Sequence, residues 1–293
     1  MNEINGTANY GRLKWYAKTY IGAIMAFLYL PILILIVYSF NESKSRSYFT
    51  GFTLNWYRQL VSNELIISSL RATLIIAVIS SVIATMLGTA AAIGISNMSK
   101  LSRAVVMNIT YVPIINPEIV TGVSLMLLFG FFNTFFLWFG DKTGASAGFE
   151  FGMPTLILAH ITFNIPYVIL NVMPKLRQMD KNVYEAARDL GCNDLQAFVK
   201  VVAPEIMPGI VAGFLTAITM SLDDFVISYF VSGPSAQTLP ITIFSMTRRK
   251  VSPEINALSS IIFVVVLAAL LTVNLHDARK ERNLRKAAGG RSM

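Results

Sequence analysis

Six long apolar stretches limit the possible folds of this chain more than any other feature of its sequence. Charged side chains are absent from 19–41, 72–99, 119–140, 151–174, 206–222 and 255–275. A helix that crosses a bilayer needs about 20 apolar residues, at a rise of 1.5 Å per residue. The sequence therefore predicts an all-α integral membrane protein with six crossings, the fifth of which is interrupted at Asp223 and Asp224 and resumes at Phe225.

The composition argues against a soluble or nucleic-acid-binding protein. Of the 293 residues, 54% are hydrophobic and only 14% are charged, whereas soluble domains carry about 25% charged residues. The net charge is +8, but the basic residues lie in short clusters between apolar runs, as in the loops of membrane proteins. A nucleic-acid-binding protein would instead present a folded basic face interleaved with aromatic residues.

The distribution of lysine and arginine predicts that both termini lie in the cytoplasm. Most of these residues, 16 of 24, fall in the predicted inner segments 1–18, 100–105, 175–205 and 276–293, as the positive-inside rule requires. Arg248, Arg249 and Lys250 run against this bias. The predicted organisation is a cytoplasmic tail (1–18), a six-helix domain (19–275) and a basic cytoplasmic tail (276–293).

Two of the predicted crossings need closer interpretation. The first apolar stretch is longer than the roughly 7–15 residues of a signal-peptide core and no cleavage site follows it, so we interpret it as an uncleaved helix. The third is interrupted by Pro113 and Pro117, and Glu118 would lie near mid-depth of a helix that starts near Ala104. Both a kinked and a broken helix fit this pattern.

Small residues recur every four positions on the second and fifth predicted helices. They are Ala84, Gly88 and Ala92 on the second, and Gly209, Gly213, Ala217 and Ser221 on the fifth. Such spacing lets helix backbones approach closely inside a membrane. Tight packing within one subunit and, for the fifth helix, a seam between subunits are both open interpretations.

The predicted inner loop 175–205 indicates two short helices joined by a glycine. The segment 184–190 favours helix, and Gly191 suits the left-handed residue that ends one. Asn193 or Asp194 can cap the next helix, which we expect to end at Pro204. Such an elbow could dock into another protein or simply connect two crossings.

The residues of this loop resemble the EAA loop of binding-protein-dependent ABC-importer permeases. Glu185, Ala186 and Ala187 are followed by Gly191 and, about a dozen residues later, by Pro204. The resemblance implies a six-helix permease bundle in which this loop forms the coupling helix that contacts an ATPase subunit. The coupling residues it implies are Glu185, Ala186, Ala187, Arg188, Leu190, Gly191 and Pro204.

Further motifs are similar to the spermidine/putrescine branch of that family. They are HITFNIP at 160–166, SLDDFV at 221–226, GPS at 233–235, LP at 239–240 and VSPEINAL at 251–258. The resemblance implies import of polyamines, driven by ATP, across the bacterial cytoplasmic membrane. Related permeases carry other small cationic or amino compounds, and that alternative stays open.

The resemblance also implies the partners of the chain. We expect a second homologous permease subunit, two ATPase subunits and an extracytoplasmic polyamine-binding protein around it in the lipid membrane. The sequence has no G-x-x-x-x-G-K-[ST] loop, so we expect ATP and Mg²⁺ to bind the ATPase partner and this chain to be no enzyme. A single cysteine, Cys192, and two distant histidines, His160 and His276, predict no metal site.

Four residues are candidates for the substrate pathway, namely Asp223, Asp224, Glu118 and Tyr229. A carboxylate inside the hydrocarbon is costly, so such residues normally face a cavity or a partner. A polycation leaving water needs fixed negative charge or aromatic faces. The alternative is that the aspartates cap helix ends or pair with an arginine such as Arg71.

His160 and Asn164 lie four residues apart, and interhelical hydrogen bonding is their expected role.

Two other classes of protein were weighed against the ABC permease, an ion-coupled transporter and a membrane enzyme or receptor subunit. An ion-coupled secondary transporter could use the intramembrane acids, but it would show internal repeats and none is visible. The sequence contains no recognisable set of catalytic residues that would indicate a membrane enzyme or receptor subunit.

Overall fold

The computed structural model describes residues 15–43, 48–143, 150–234, 236–249, 253–265 and 267–268. The helices are α1 (Trp15–Ser39), α2 (Asn55–Ser62), α3 (Glu64–Ser96), α4 (Lys100–Ile115), α5 (Glu118–Thr143), α6 (Met153–Gln178), α7 (Lys181–Asp189), α8 (Asp194–Ala197), α9 (Ala203–Asp223), α10 (Val226–Val231), α11 (Leu239–Arg249) and α12 (Pro253–Val265), with a π-helical turn at Phe198–Val202 between α8 and α9. The predicted tail 276–293 and most of the tail 1–18 lie outside the described residues.

Five helices in the described part of the chain are long and apolar enough to cross a membrane. They are Trp15–Ser39, Glu64–Ser96, Glu118–Lys142, Met153–Gln178 and Phe198–Asp223. The sixth predicted crossing is helical from Pro253 to Val265, and most of its remainder up to 275 is not among the described residues. The helical membrane architecture is confirmed, while the count of six remains a prediction.

The third crossing is broken. α4 passes through Pro113 and ends at Ile115, and Asn116 is extended, with φ −69° and ψ 137°. A residue before proline is forced out of the helical region, so Pro117 stops α4 and α5 begins anew at Glu118. Glu118 therefore starts a helix instead of lying in the middle of one.

The chain forms two compact units, one comprising Glu64–Ser245 and the other the residues before and after it. In the flanking unit, the end of α1 is tied to α2 by side chains. The Trp56 indole N–H donates to the carbonyl of Asn41 at 2.7 Å, and the hydroxyls of Ser39 and Tyr57 are 2.6 Å apart. These bonds fix the start of α2 against the segment that leaves α1.

The central unit is built on α3, α6 and α9. The small residues on α3 and α9 are buried, and a methyl group added at Gly88 would lie 2.7 Å from the Cβ of Val168 on α6. A methyl group at Gly209 would lie 2.9 Å from the carbonyl oxygen of Asn171, also on α6. The small residues thus bring three backbones together within one chain, which confirms the packing interpretation over a seam between subunits.

Two apolar cores lie along α6. One surrounds Val168 and Val172 near the end of α6 that leads to the 175–205 loop, and the other surrounds Leu156 and Ala159 near its start. Buried His160 lies next to the second core, and buried Asn164 lies between the two. The second core also contains residues of α5 and α10, so the short helix after the α9 break belongs to the packed bundle.

Candidate functional site

A cavity of about 230 Å³ lies beside the break between α9 and α10. Its walls include three carboxylates, those of Glu118, Asp223 and Asp224. The two helix breaks bring these residues together, because α5 begins at Glu118 and α9 ends at Asp223. Three of the four predicted pathway residues therefore share one cavity.

The two aspartates have different surroundings. Asp223 is exposed, whereas the side chain of Asp224 is only 5% exposed and caps α10. The backbone N–H groups of Ile227 and Ser228 donate to its carboxylate at 3.2 and 2.8 Å, and the Ser228 hydroxyl donates at 2.7 Å. The capping alternative is therefore correct for Asp224.

Arg71 is not the partner of either aspartate. It lines a separate cavity of about 420 Å³ near the start of α3, with Ser68 and Gln237 in the same wall. Neither of the two ion pairs found within the described residues involves Arg71. The negative charge beside the α9 break is therefore not neutralised by this arginine.

Helix ends of both signs meet at the cavity. The last turn of α9, which ends at Asp223, carries partial negative charge on its carbonyl groups. The first turns of α5, at Glu118, and of α10 carry partial positive charge, which stabilises nearby carboxylates in their ionised form. The negative character of the cavity therefore comes from its acidic side chains, an arrangement that suits a cation.

Aromatic rings form another wall of the cavity. Phe163 and Tyr167, one turn apart on α6, line it together with Phe225. The predicted pathway residue Tyr229 is not part of this wall; it is exposed, and its ring packs on Phe225 with centroids 5.6 Å apart. Sequence reasoning missed Phe163 and Tyr167, although their spacing of four residues was a signal that both share one helix face.

His160 and Asn164 make the interhelical hydrogen bonds expected of them. The ring nitrogens of His160 lie 3.0 Å from the hydroxyl oxygens of Ser221 on α9 and Ser228 on α10. The Asn164 amide donates to Ser221 at 2.8 Å, and Ser80 on α3 lies 3.2 Å from the same hydroxyl. The predicted hydrogen-bonding role is confirmed for both residues.

The predicted helix–glycine–helix elbow is present in the loop. α7 ends at Asp189, and Gly191, just beyond it, is left-handed, with φ +88°. The N–H groups of Gly191 and Cys192 donate to the carbonyls of Arg188 and Ala187 at 2.9 and 3.1 Å, which is the Schellman arrangement. The predicted glycine stop is therefore confirmed.

The next helix begins as predicted but does not end at Pro204. Asn193 and Gln196 cap it reciprocally, each side chain accepting from the other's backbone N–H at 2.8 and 3.2 Å. The helix then continues through the π-helical turn into α9, so the predicted end at Pro204 is wrong. In that turn the N–H of Ala203 donates to Phe198, five residues back, and the wider turn accommodates the proline that follows.

The seven predicted coupling residues point in different directions. Leu190 is 86% exposed and Ala186 is also exposed, whereas Ala187 is buried against the rest of the unit. Arg188 pairs with Asp194 at 3.3 Å across the elbow. α7 therefore presents an outward face that carries an exposed leucine.

A larger cavity, of about 830 Å³, lies between the elbow and the bundle. Glu185 lines it, and so do Arg103 and Arg177. Arg103 also caps the end of α3, since its guanidinium donates to the carbonyls of Ile95 and Ser96. The elbow therefore packs on the bundle around a cavity with charged walls.

Comparison with known proteins places this architecture in a family. Residues 84–285 match the family described as "binding-protein-dependent transport system inner membrane component". The chain belongs to this family. The resemblance of the 175–205 loop to the ABC-importer permeases is thereby confirmed, and the permease is a multi-pass protein of the inner membrane.

Two relatives of this permease come from Escherichia coli strain K12. The putrescine transport system permease protein PotI is 37% identical over 270 residues, which cover 90% of this chain and 92% of PotI. The spermidine/putrescine transport system permease protein PotC is 36% identical over 253 residues, covering 86% and 90%.

A solved structure shares the fold of the permease. A chain from a bacterial ABC transporter involved in the import of the acidic polysaccharide alginate matches with a TM-score of 0.69 at 17% identity. The match covers 90% of this chain and 94% of the other. The helical arrangement described above is therefore that of an ABC-importer permease.

Proposed function

We propose that this permease imports polyamines, spermidine or putrescine, and forms half of their pathway across the membrane. The observation that carries the proposal is the cavity at the α9 break, where Glu118, Asp223 and Asp224 meet. The names of the relatives PotI and PotC, which are putrescine and spermidine/putrescine permeases, support the same substrate class.

The chemistry of the cavity suits a thin polycation. At an effective dielectric constant of about 20, one carboxylate 4 Å from an ammonium group contributes about 4 kcal/mol of attraction. The rings of Phe163 and Tyr167 can replace further hydration through cation–π contacts. With about 230 Å³, the cavity is smaller than the roughly 300–1,000 Å³ of typical ligand pockets, as expected if a second subunit supplies the other wall.

The energy for import would come from other subunits. We place this chain in a complex with a second homologous permease, two ATPase subunits that bind ATP and Mg²⁺, and an extracytoplasmic binding protein. The family description, which names a binding-protein-dependent transport system, supports the last of these. In this arrangement both termini lie in the cytoplasm with the 175–205 loop, and Arg248 to Lys250 lie outside.

The elbow would serve as the contact with the ATPase. Leu190 is 86% exposed, so it can enter a groove on the partner. Movement of α7 would pass through the π-helical turn to α9, because α8, that turn and α9 follow without interruption. α9 ends at Asp223, so the same movement would reach the pathway.

The test is uptake of labelled spermidine and putrescine by cells that lack the gene, with and without a plasmid copy. We expect deletion to lower uptake of at least one polyamine and the plasmid to restore it. Unchanged uptake of both compounds, in a strain without another polyamine importer, would remove the polyamine assignment. The membership of the ABC permease family would stand in that case.

A further inference from the structure

A buried polar layer separates the two apolar cores of the central unit. We define the layer as the side chains of Ser80, His160, Asn164, Ser221 and Ser228, each no more than 2% exposed. They come from α3, α6, α9 and α10. His160 is the residue that contacts both sides of the α9–α10 break.

The position of one proton on His160 follows from counting donors. The carboxylate of Asp224 accepts two backbone N–H bonds and the hydroxyl of Ser228, at 2.7 Å. Serine has a single hydroxyl proton, which this last bond uses. The Ser228 oxygen therefore accepts from Nε2 of His160, 3.0 Å away, so His160 carries a proton on Nε2. The same nitrogen also lies 3.5 Å from Oδ2 of Asp224, which agrees with a proton at this position.

The other side of the ring fixes the end of α9. Nδ1 of His160 lies 3.0 Å from the hydroxyl oxygen of Ser221, which also receives the Asn164 amide at 2.8 Å. The imidazole ring is rigid, so its two nitrogens hold Ser221 and Ser228 at a fixed separation. Asp223 and Asp224 lie in the segment between these two serines.

We propose that His160 is a positioning residue for the cation pathway, an inference that rests on the proposed function. Chiefly through Ser228, and also by the 3.5 Å approach of its Nε2 to Oδ2 of Asp224, it keeps the Asp224 carboxylate turned inward as the cap of α10. The exposed Asp223 is then the aspartate that meets the cargo. Asp224 then shapes the break, and Asp223 and Glu118 supply the charge.

Three substitutions separate this role from simple packing. His160→Ala removes both contacts, whereas His160→Gln can place an amide N–H near the position of Nε2 and His160→Asn is too short to do so. We expect His160→Ala to lower polyamine uptake at saturating concentration by about tenfold, the size expected when a hydrogen bond to a charged group is weakened. His160→Gln should restore most of the rate and His160→Asn should not.

A matched control lies on the same helix. Thr162 is exposed, and its hydroxyl donates to the carbonyl of Leu158 within α6. Thr162→Ala should leave uptake unchanged. The amount of each variant in the membrane, measured by immunoblot, separates a transport defect from poor insertion.

A double-mutant cycle with Ser228→Ala tests the route through which His160 acts. If His160 works through Ser228, adding His160→Ala to Ser228→Ala should change uptake less than twofold. Three results would each overturn the proposal. The first is a double variant in which the losses of uptake of the two single variants multiply. The others are an equal loss of uptake in His160→Gln and His160→Ala, and poor membrane insertion of all three His160 variants.

Labelling of a cysteine gives a readout that does not depend on the substrate. Cys192 is the single cysteine of the chain, so Cys192→Ser provides a cysteine-free background for Asp223→Cys. We expect a small water-soluble thiol reagent to label this cysteine, more slowly with His160→Ala and at the original rate with His160→Gln. A wild-type complex that imports no polyamine would refute the proposed function, whereas equal labelling rates would refute the role of His160.

Discussion

Asp223 and Asp224 are neighbours in sequence, yet their carboxylates lie in different surroundings. Asp224 accepts three hydrogen bonds from α10 and lies 3.5 Å from Nε2 of His160, so its contacts serve mainly the local fold. Asp223 ends α9 and is exposed at the cavity with Glu118. The pair therefore combines one residue that shapes the break with one whose charge remains available.

Alanine substitutions should distinguish these two roles. Asp223→Ala removes charge from the cavity and touches no helix cap, so we expect about a tenfold loss of polyamine uptake with normal amounts of protein. Asp224→Ala removes the cap of α10, which costs about 1 kcal/mol of stability, so uptake and thermal stability should both fall. Radiolabelled uptake and the melting temperature of the purified protein measure the two effects.

The conservative variants provide the control. Asp223→Glu keeps the charge and Asp224→Asn keeps an oxygen that can cap, so each should retain more of its residue's function than alanine does. Equal melting temperatures for Asp223→Ala and Asp224→Ala would contradict this division of roles.

At the scale of the element, the elbow depends on the conformation of one glycine. Gly191 has φ +88°, and a methyl group added there would meet nothing within 4 Å. A substitution at this position is therefore limited by the backbone and not by space. The Schellman end of α7 fixes the direction in which Leu190 projects, so a change of backbone here would move the exposed leucine.

Gly191→Val should uncouple the permease, because a β-branched residue rarely adopts positive φ. Gly191→Asn should be tolerated, because asparagine visits the left-handed region. We expect Gly191→Val to lower uptake at least about fivefold, given a strain of about 1–3 kcal/mol, while the protein still inserts. Uptake is compared with the ATPase activity of the complex, and equal uptake by the two variants would argue against a coupling role for the elbow.

Local features of this elbow could be predicted from the sequence, but its continuation could not. The stop at Gly191 and the cap at Asn193 depend on backbone geometry within a few residues. The passage through Pro204 depends on a π-helical turn, which residue preferences do not indicate. The cavity depends on contacts between Glu118 and Asp223, far apart in sequence, so the acids could be named separately while their meeting could not be foreseen.

At the scale of the molecule, α9 joins the two candidate sites. It follows the elbow and the π-helical turn, and its 21 residues span about 30 Å before ending at Asp223. Close packing of α9 on α6 through Gly209 and Gly213 leaves little room for bending. A displacement of the elbow would therefore reach the acidic cavity as a movement of the whole helix.

The proposed contact of the elbow with an ATPase predicts that transport requires ATP hydrolysis by partner subunits. We expect proteoliposomes holding the complete complex and the binding protein to accumulate labelled spermidine only when ATP is supplied on the side of the ATPases. The permease without ATPases should show no uptake under a proton or sodium gradient. Leu190→Asp should reduce ATP-driven uptake without lowering the melting temperature, because Leu190 is 86% exposed and contributes little to the core. Gradient-driven uptake by the permease alone would show instead that the acids at the α9 break serve an ion-coupled transporter.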